Sequence, residues 1–134
     1  MIYILDANAL IAWLRDETGA DAVLQIIQDI NNTCFAHAAN LCEVYYDVMR
    51  VGGEQAADEA MIDLVSVNIT ERNDLDSAFW QEAAKLKAVH RRVSLADCFG
   101  VVLTRRLGGT LVTSDHHEMD VIAQAGICPI VFFR

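Results

Sequence analysis

Short apolar runs without alternation punctuate the chain at residues 2–5, 33–36, 110–113 and 130–133, with a weaker one at 65–69. Runs of this length, rich in β-branched and aromatic residues, suit strands covered on both faces, as in a parallel sheet. Between them apolar residues return at three- and four-residue spacing, the period of a helix with one buried face. Ala9, Leu10, Ile11 and Trp13 predict a short helix closed by Arg15-Asp16-Glu17. Thr18 and Asp21 form a T-x-x-D capping box for a helix to about residue 31, with Val23, Ile26, Ile27 and Ile30 turned toward the sheet. Further helices are expected over residues 39–49, stopped at Gly52-Gly53, over 54–64, and over 75–90 with Phe79, Ala83, Leu86 and Val89 on one side. Ser94 and Asp97 make a second box, S-x-x-D, that opens a helix to Leu107 before Gly108-Gly109. A last helix follows Ser114-Asp115, and residues 130–133 read as an edge strand after Gly126 and Pro129. Strands alternating with helices, without hairpin signals, predict an α/β fold: a three-layer α/β/α sandwich with a mostly parallel central sheet and right-handed crossovers, one domain over residues 1–134.

Composition agrees with a compact globule. Of 134 residues, 54% are hydrophobic and 22% charged, which argues against disorder. A chain of this length buries roughly 68% of its unfolded surface. No apolar run approaches the roughly 20 residues of a bilayer span, and Met1 leads straight into the first strand without a secretory signal, so a cytoplasmic location is expected. Cys34, Cys42, Cys98 and Cys128 form no CxxC pair and are expected as buried reduced thiols. The net charge of −9 and a pI near 4.7 fit poorly with a protein that grips nucleic acid by a broad basic surface. They suit a cation-binding site or a basic protein partner.

Carboxylates at element ends carry the candidate chemistry. Asp6 and Asp115 each follow an apolar strand directly, and in a parallel sheet both project from the carboxyl edge, where such sheets place ligands. Glu43 interrupts the mostly apolar stretch Leu41-Cys42-Val44-Tyr45, where an ionised carboxylate is costly unless paired or metal-bound. Asp97 stands in the first turn of its helix between Leu95-Ala96 and Cys98-Phe99. Singly, each has an ordinary explanation: Asp6, Asp97 and Asp115 as helix caps, Glu43 as a solvated helix residue. Together, at strand ends and helix starts that face one edge, they point to a site. Two carboxylates about 4 Å apart repel by about 4 kcal/mol at an effective dielectric of about 20. Arg105 and Arg106, one helix away from Asp97, are read as the nearest cations, so a hard divalent cation is the natural countercharge. All-oxygen ligation suits Mg²⁺ or Mn²⁺. Such an ion activates water, stabilises phosphoryl charge and bridges an anionic protein to an anionic substrate.

The ordered set I-L-D-A-N-A-L-I at the start, N-L-C-E-V around Glu43, S-L-A-D-C around Asp97 and L-V-T-S-D before His116 resembles the PIN domain, over nearly the whole chain. Among its members the chain looks most like the small VapC-type toxins. The resemblance implies a Mg²⁺- or Mn²⁺-dependent endoribonuclease, usually homodimeric, that cleaves RNA by in-line attack of water and is inhibited by a protein antitoxin. It places Asp6, Glu43, Asp97 and Asp115 in the acidic metal site, with Asn8 and Thr113 as polar residues beside it. After Asp115 the chain departs from many relatives, with His116-His117-Glu118. Glu118 is either a further acid or solvated, and solvation is the expectation. His116 and His117, neighbours on a helix, point about 100° apart and are placed on the surface. Asp47, Asp74, Asp76 and Asp120 are read as ordinary surface charges. Two other readings stay open: a PIN-like module that binds without cutting, and a phosphatase or dehalogenase with Asp6 as covalent nucleophile, whose balancing lysine the later motifs lack.

Overall fold

A computed structural model describes all residues of the chain, Met1–Arg134. Five strands, β1 (Ile2–Leu5), β2 (Thr33–His37), β3 (Ile69–Arg72), β4 (Thr110–Thr113) and β5 (Ile130–Phe132), pair in the order β3-β2-β1-β4-β5. Every pairing is parallel. The helices are α1 (Ala7–Leu14), α2 (Ala20–Gln28), α3 (Ala38–Gly52), α4 (Glu54–Ser66), α5 (Ser77–Val89), α6 (Leu95–Leu107) and α7 (His116–Gln124).

The unbroken apolar runs are explained by burial on both faces. Successive side chains of a strand point to opposite sides. Leu5 and Val112 accordingly enter one core with Leu10, Val23, Val44 and Leu64, contributed by the first four helices. Ile4 and Leu111 enter a second core with Phe79, Val102, Met119 and Ile122 from the last three. The result is the expected α/β/α sandwich. The strand order reverses beside β1: the chain builds outward through β2 and β3, then returns to add β4 and β5 on the other side. At such a switch point the helices after adjacent strands leave on opposite faces and open a crevice at the carboxyl ends. Asp6 and Asp115 stand on either side of it, after β1 and β4.

Several sequence expectations need correction. The T-x-x-D box does not form: α2 starts after Gly19, which sits at a φ of 90° and has no side chain to cap with, and ends at Gln28. A Cβ at position 19 would lie 2.6 Å from the Phe133 carbonyl oxygen, so the C-terminal segment presses against this turn. Beyond the shortened helix, Ile30 is 95% exposed, and Val89, at the last turn of α5, is 74% exposed. The weak strand moves from residues 65–69 to Ile69–Arg72, because α4 continues to Ser66. Asp76 caps α5 through the Phe79 amide, which sets its start at Ser77 rather than 75. The four thiols are free, and Cys42 is exposed rather than buried. No helix is long and apolar enough to cross a membrane.

Candidate metal centre at the sheet switch point

Asp6 is 1% exposed and does two things with its two oxygens. Its Oδ1 accepts the Ala9 amide at 2.9 Å and caps α1. Its Oδ2 is buried with no hydrogen-bond partner. An orphaned buried carboxylate oxygen is costly, and burial pushes the group up to about 7 against the opposing pull of the nearby Thr113 hydroxyl and the Ala9 amide, with Asp115 and Glu43 adding negative charge.

Asp115 repeats the arrangement across the crevice. Its Oδ1 accepts the Glu118 amide at 3.0 Å and caps α7, while its own amide donates to the Thr113 hydroxyl at 3.1 Å. Thr113, fully buried, thus fixes the turn that aims Asp115.

At α6 the capping box is only half made. Ser94 Oγ accepts the Asp97 amide at 3.2 Å, but the reciprocal bond to the Ser94 amide comes from Glu118 Oε2 at 3.3 Å, not from Asp97. The Asp97 carboxyl is thereby released from capping. Burial pushes it up to about 9, reinforced by a hydrogen bond with Glu118 and by the charges of Asp6, Glu118 and Glu43.

Asp97, Asp115 and Glu118 offer carboxylate oxygens that all lie within 4.8 Å of one another. Glu118, expected in solvent, is therefore half-buried in the tightest group of acids, held there by an amide on the far side of the crevice. Asp6 and Glu43 lie outside that innermost triplet. Glu43 lines the same cavity of about 290 Å³, together with Asn8, Ser94, Asp97, Asp115 and Glu118. Glu43 is exposed rather than set in apolar surroundings as its neighbours in the sequence suggested, and partial desolvation against the cavity wall raises its carboxyl, with Glu118 and Asp47 contributing repulsion. Asp6 is buried next to Ala7 and Asn8 of the cavity wall. Asn8 itself is exposed.

One organising residue went unread in the N-L-C-E-V motif. Asn40 is fully buried at the start of α3, accepting the Ala7 amide at 3.4 Å and donating to the Ala96 carbonyl at 3.5 Å. It ties together the residues next to Asp6 and Asp97. A buried amide in a first helical turn beside apolar positions was the available signal.

Asp47 and Asp74 are more than surface charges. Asp47 also lines the cavity and is clamped by Arg15 at 2.8 Å and Arg50 at 3.0 Å. Asp74, with a side chain only 9% exposed, binds Arg72 and Arg106, and these guanidinium groups hold its carboxyl far below the usual range. Arg105 pairs with Glu82 and Arg106 with Asp74 and Asp76, so neither serves the acidic site. Arg91 and Arg92 also stand closer to Asp97 in the chain than Arg105 does, which the sequence reading overlooked. No ion pair involves Asp6, Glu43, Asp97, Asp115 or Glu118. No lysine lines the cavity, which removes the charge partner that a covalent Asp6 nucleophile needs. The residues present fit a hard divalent cation: every donor is oxygen, one buried oxygen lacks a partner, and the cluster has no cation of its own.

His116 lies on the surface, stacked on Phe132 at 4.1 Å and bonded to Asp120 at 2.9 Å.

Comparison with known proteins places this geometry. No curated protein sequence matches the chain. Solved structures match its fold over nearly its full length. The chain is similar to VapBC2 from Rickettsia felis, a structure bound to a DNA fragment from its promoter, at 14% identity and a TM-score of 0.75, covering 98% of both chains. It is similar to VapBC-1 from nontypeable Haemophilus influenzae at 15% identity and a TM-score of 0.72, covering 99% of this chain and 98% of that one. Mycobacterium tuberculosis VapC20, described as a sarcin-ricin loop cleaving toxin, matches at 14% identity and a TM-score of 0.68, over 81% of this chain and 86% of that one. A family model described as the PIN domain matches residues 3–124, and with the acids at the switch point in place, the chain belongs to the PIN domain family.

Proposed function

We propose that the protein is a Mg²⁺- or Mn²⁺-dependent endoribonuclease and the toxin of a type II toxin–antitoxin pair. The observation that carries this reading is the unpartnered, buried Asp6 Oδ2 beside a crowd of carboxylates without a countercharge. Carboxylates within 4.8 Å repel by about 3 kcal/mol per pair at an effective dielectric of about 20. A site so costly to the folded chain is understandable where a dication offsets it.

Asp6, Asp97 and Asp115 would hold the ion, with Glu43 and Glu118 completing the acidic wall. When bound, the cation activates water for in-line attack and neutralises charge developing on the phosphodiester. The chain's own contribution is positioning. The Ala9 amide and the Glu118 amide each lock one oxygen of an aspartate and leave the second free. Thr113 and Asn40 hold the turns and helix starts in register. Asn8, exposed on the cavity wall, presents a polar side chain toward a substrate phosphate or base.

The structural neighbours support the biological half of the proposal: one is a toxin–antitoxin complex from Klebsiella pneumoniae, another a DNA-bound VapBC from Salmonella typhimurium. On this reading the partners are an RNA substrate, a protein antitoxin and a second copy of the chain.

The test is cleavage of a structured RNA by purified protein with Mn²⁺ and with EDTA, beside Asp6→Asn. Metal-dependent cleavage that the variant loses supports the reading. Wild-type protein inert toward RNA with Mn²⁺, or an Asp6→Asn variant as active as wild type, overturns it.

A further inference from the structure

A protein of net charge −9 must approach an anionic strand somewhere, and its cations are unevenly spent. Arg15 and Arg50 are bound to Asp47, Arg72 and Arg106 to Asp74, Arg105 to Glu82 and Arg134 to Glu17. Lys85, Arg91 and Arg92 make no ion pair, and all three are exposed. They fall on the end of α5 and the connection to α6, within the stretch K-L-K-A-V-H-R-R.

That connection is rigidly held. Lys87 Nζ donates to the Arg91 carbonyl at 2.8 Å and to the Val93 carbonyl at 2.7 Å, and Val93 is fully buried. The backbone that carries the two exposed arginines is therefore anchored to the end of α5. A second cavity, of about 200 Å³, lies there between His90, Arg91, Arg92, Val93 and Val121. It adjoins the acidic cavity by two routes. Ser94, on the acidic wall, follows Val93 directly, and Glu118 and Val121 lie about one turn apart on α7. The acidic cavity and the two free arginines are thus neighbours along one surface.

We propose that Arg91 and Arg92 form a phosphate track for single-stranded RNA, which delivers the strand across Ser94 to the acids, while Lys85, about 200° around α5 from Lys87, faces away from it. The inference rests on the ribonuclease reading. Two free arginines neutralise phosphates next to the cleaved one but offer no broad basic face for a duplex, which carries two rows of phosphate.

The experiment measures binding of a short fluorescein-labelled oligouridylate by anisotropy in EDTA, across a salt series, so that it reports binding whether or not the protein cleaves RNA. The charge-matched pair is Arg91→Ala with Arg92→Ala against Arg105→Ala with Arg134→Ala. Phosphate contacts contribute a slope of about 0.7 each on single strands. The track predicts that the first variant loses about 1.4 from the slope of log K against log salt, the second loses little, and Arg91→Lys with Arg92→Lys restores it. In the cleavage assay the first variant should raise KM with kcat little changed. Equal slopes for wild type and the first variant overturn the track and leave the nuclease reading standing. A reduced slope in a protein that fails to cleave RNA with Mn²⁺ upholds the track as a binding surface while the nuclease reading falls.

Discussion

Asp6 shows why a cap and a site are not alternatives. A carboxylate has two acceptor oxygens, and the helix start uses one. Oδ1 takes the Ala9 amide, and the buried Oδ2 has nothing to accept from. Asp6→Asn keeps the capping oxygen and removes the buried charge. Without metal its melting temperature at neutral pH should rise above that of wild type, and added Mn²⁺ should move it less. A variant less stable than wild type in EDTA would mean that Asp6 is a structural residue whose charge is already compensated. The aspartates were legible in the sequence because each breaks an apolar run at an element boundary. Glu118 was not, since the fact that decides it is a bond to the Ser94 amide, donated from 24 residues earlier in the chain. Only the tertiary fold brings these two together, and it also frees Asp97 from the role its S-x-x-D spacing suggested.

At the scale of elements, helix order and four of the five strands follow from the apolar pattern, because a fully covered parallel strand admits no polar interruption, whereas the edge strand β3, Ile-Thr-Glu-Arg, is half polar and falls outside the apolar run at 65–69. Helix ends are less legible where contacts from distant segments set them. Gly19 replaces the expected Thr18 cap because the Phe133 backbone lies against it. Gly19→Ala therefore meets both a left-handed backbone, unfavourable by about 1–2 kcal/mol for a residue with Cβ, and a steric overlap. It should lower stability by more than that amount in denaturant unfolding, and an unchanged midpoint would show that the C-terminal segment yields freely. Asn40 joins α1 to α6 at the residues flanking Asp6 and Asp97. Asn40→Ala leaves a buried amide N–H without its acceptor, at a cost of about 1–3 kcal/mol. It should also weaken metal binding in protein that remains folded. Destabilisation with metal affinity untouched would limit Asn40 to a packing role. The apolar periodicity also overreached: Ile30, expected on the sheet face, lies beyond the end of α2, and Val89, expected on one side of α5 with Phe79, Ala83 and Leu86, is its last residue, and both are in solvent.

Across the whole molecule the acidic centre sets the response to pH. Asp6 and Asp97 have folded-state values raised above those of an unfolded carboxyl, so the folded chain holds more protons between them. Stability of the metal-free protein should fall as pH rises from about 4 to about 7, by up to about 1.4 kcal/mol per pH unit for each such group. Glu43 and His116, also raised, act in the same direction. Asp47, Asp74 and Asp76 are lowered by arginines and act oppositely, but below that window. Mn²⁺ competes with those protons, so its stabilising effect should grow with pH over the same range, as followed by thermal melting in buffers with and without the ion. Melting temperatures that climb steadily from pH 4 to 7 in EDTA would mean the acids are not crowded in solution. The most direct test is a titration of Mn²⁺ at neutral pH, with free ion counted by electron paramagnetic resonance, in wild type and in Asp97→Asn. The account predicts that wild type removes Mn²⁺ from solution and that the variant, still folded, loses most of that binding. Folded wild-type protein that leaves all the Mn²⁺ free, or a variant that binds it as tightly, would contradict it.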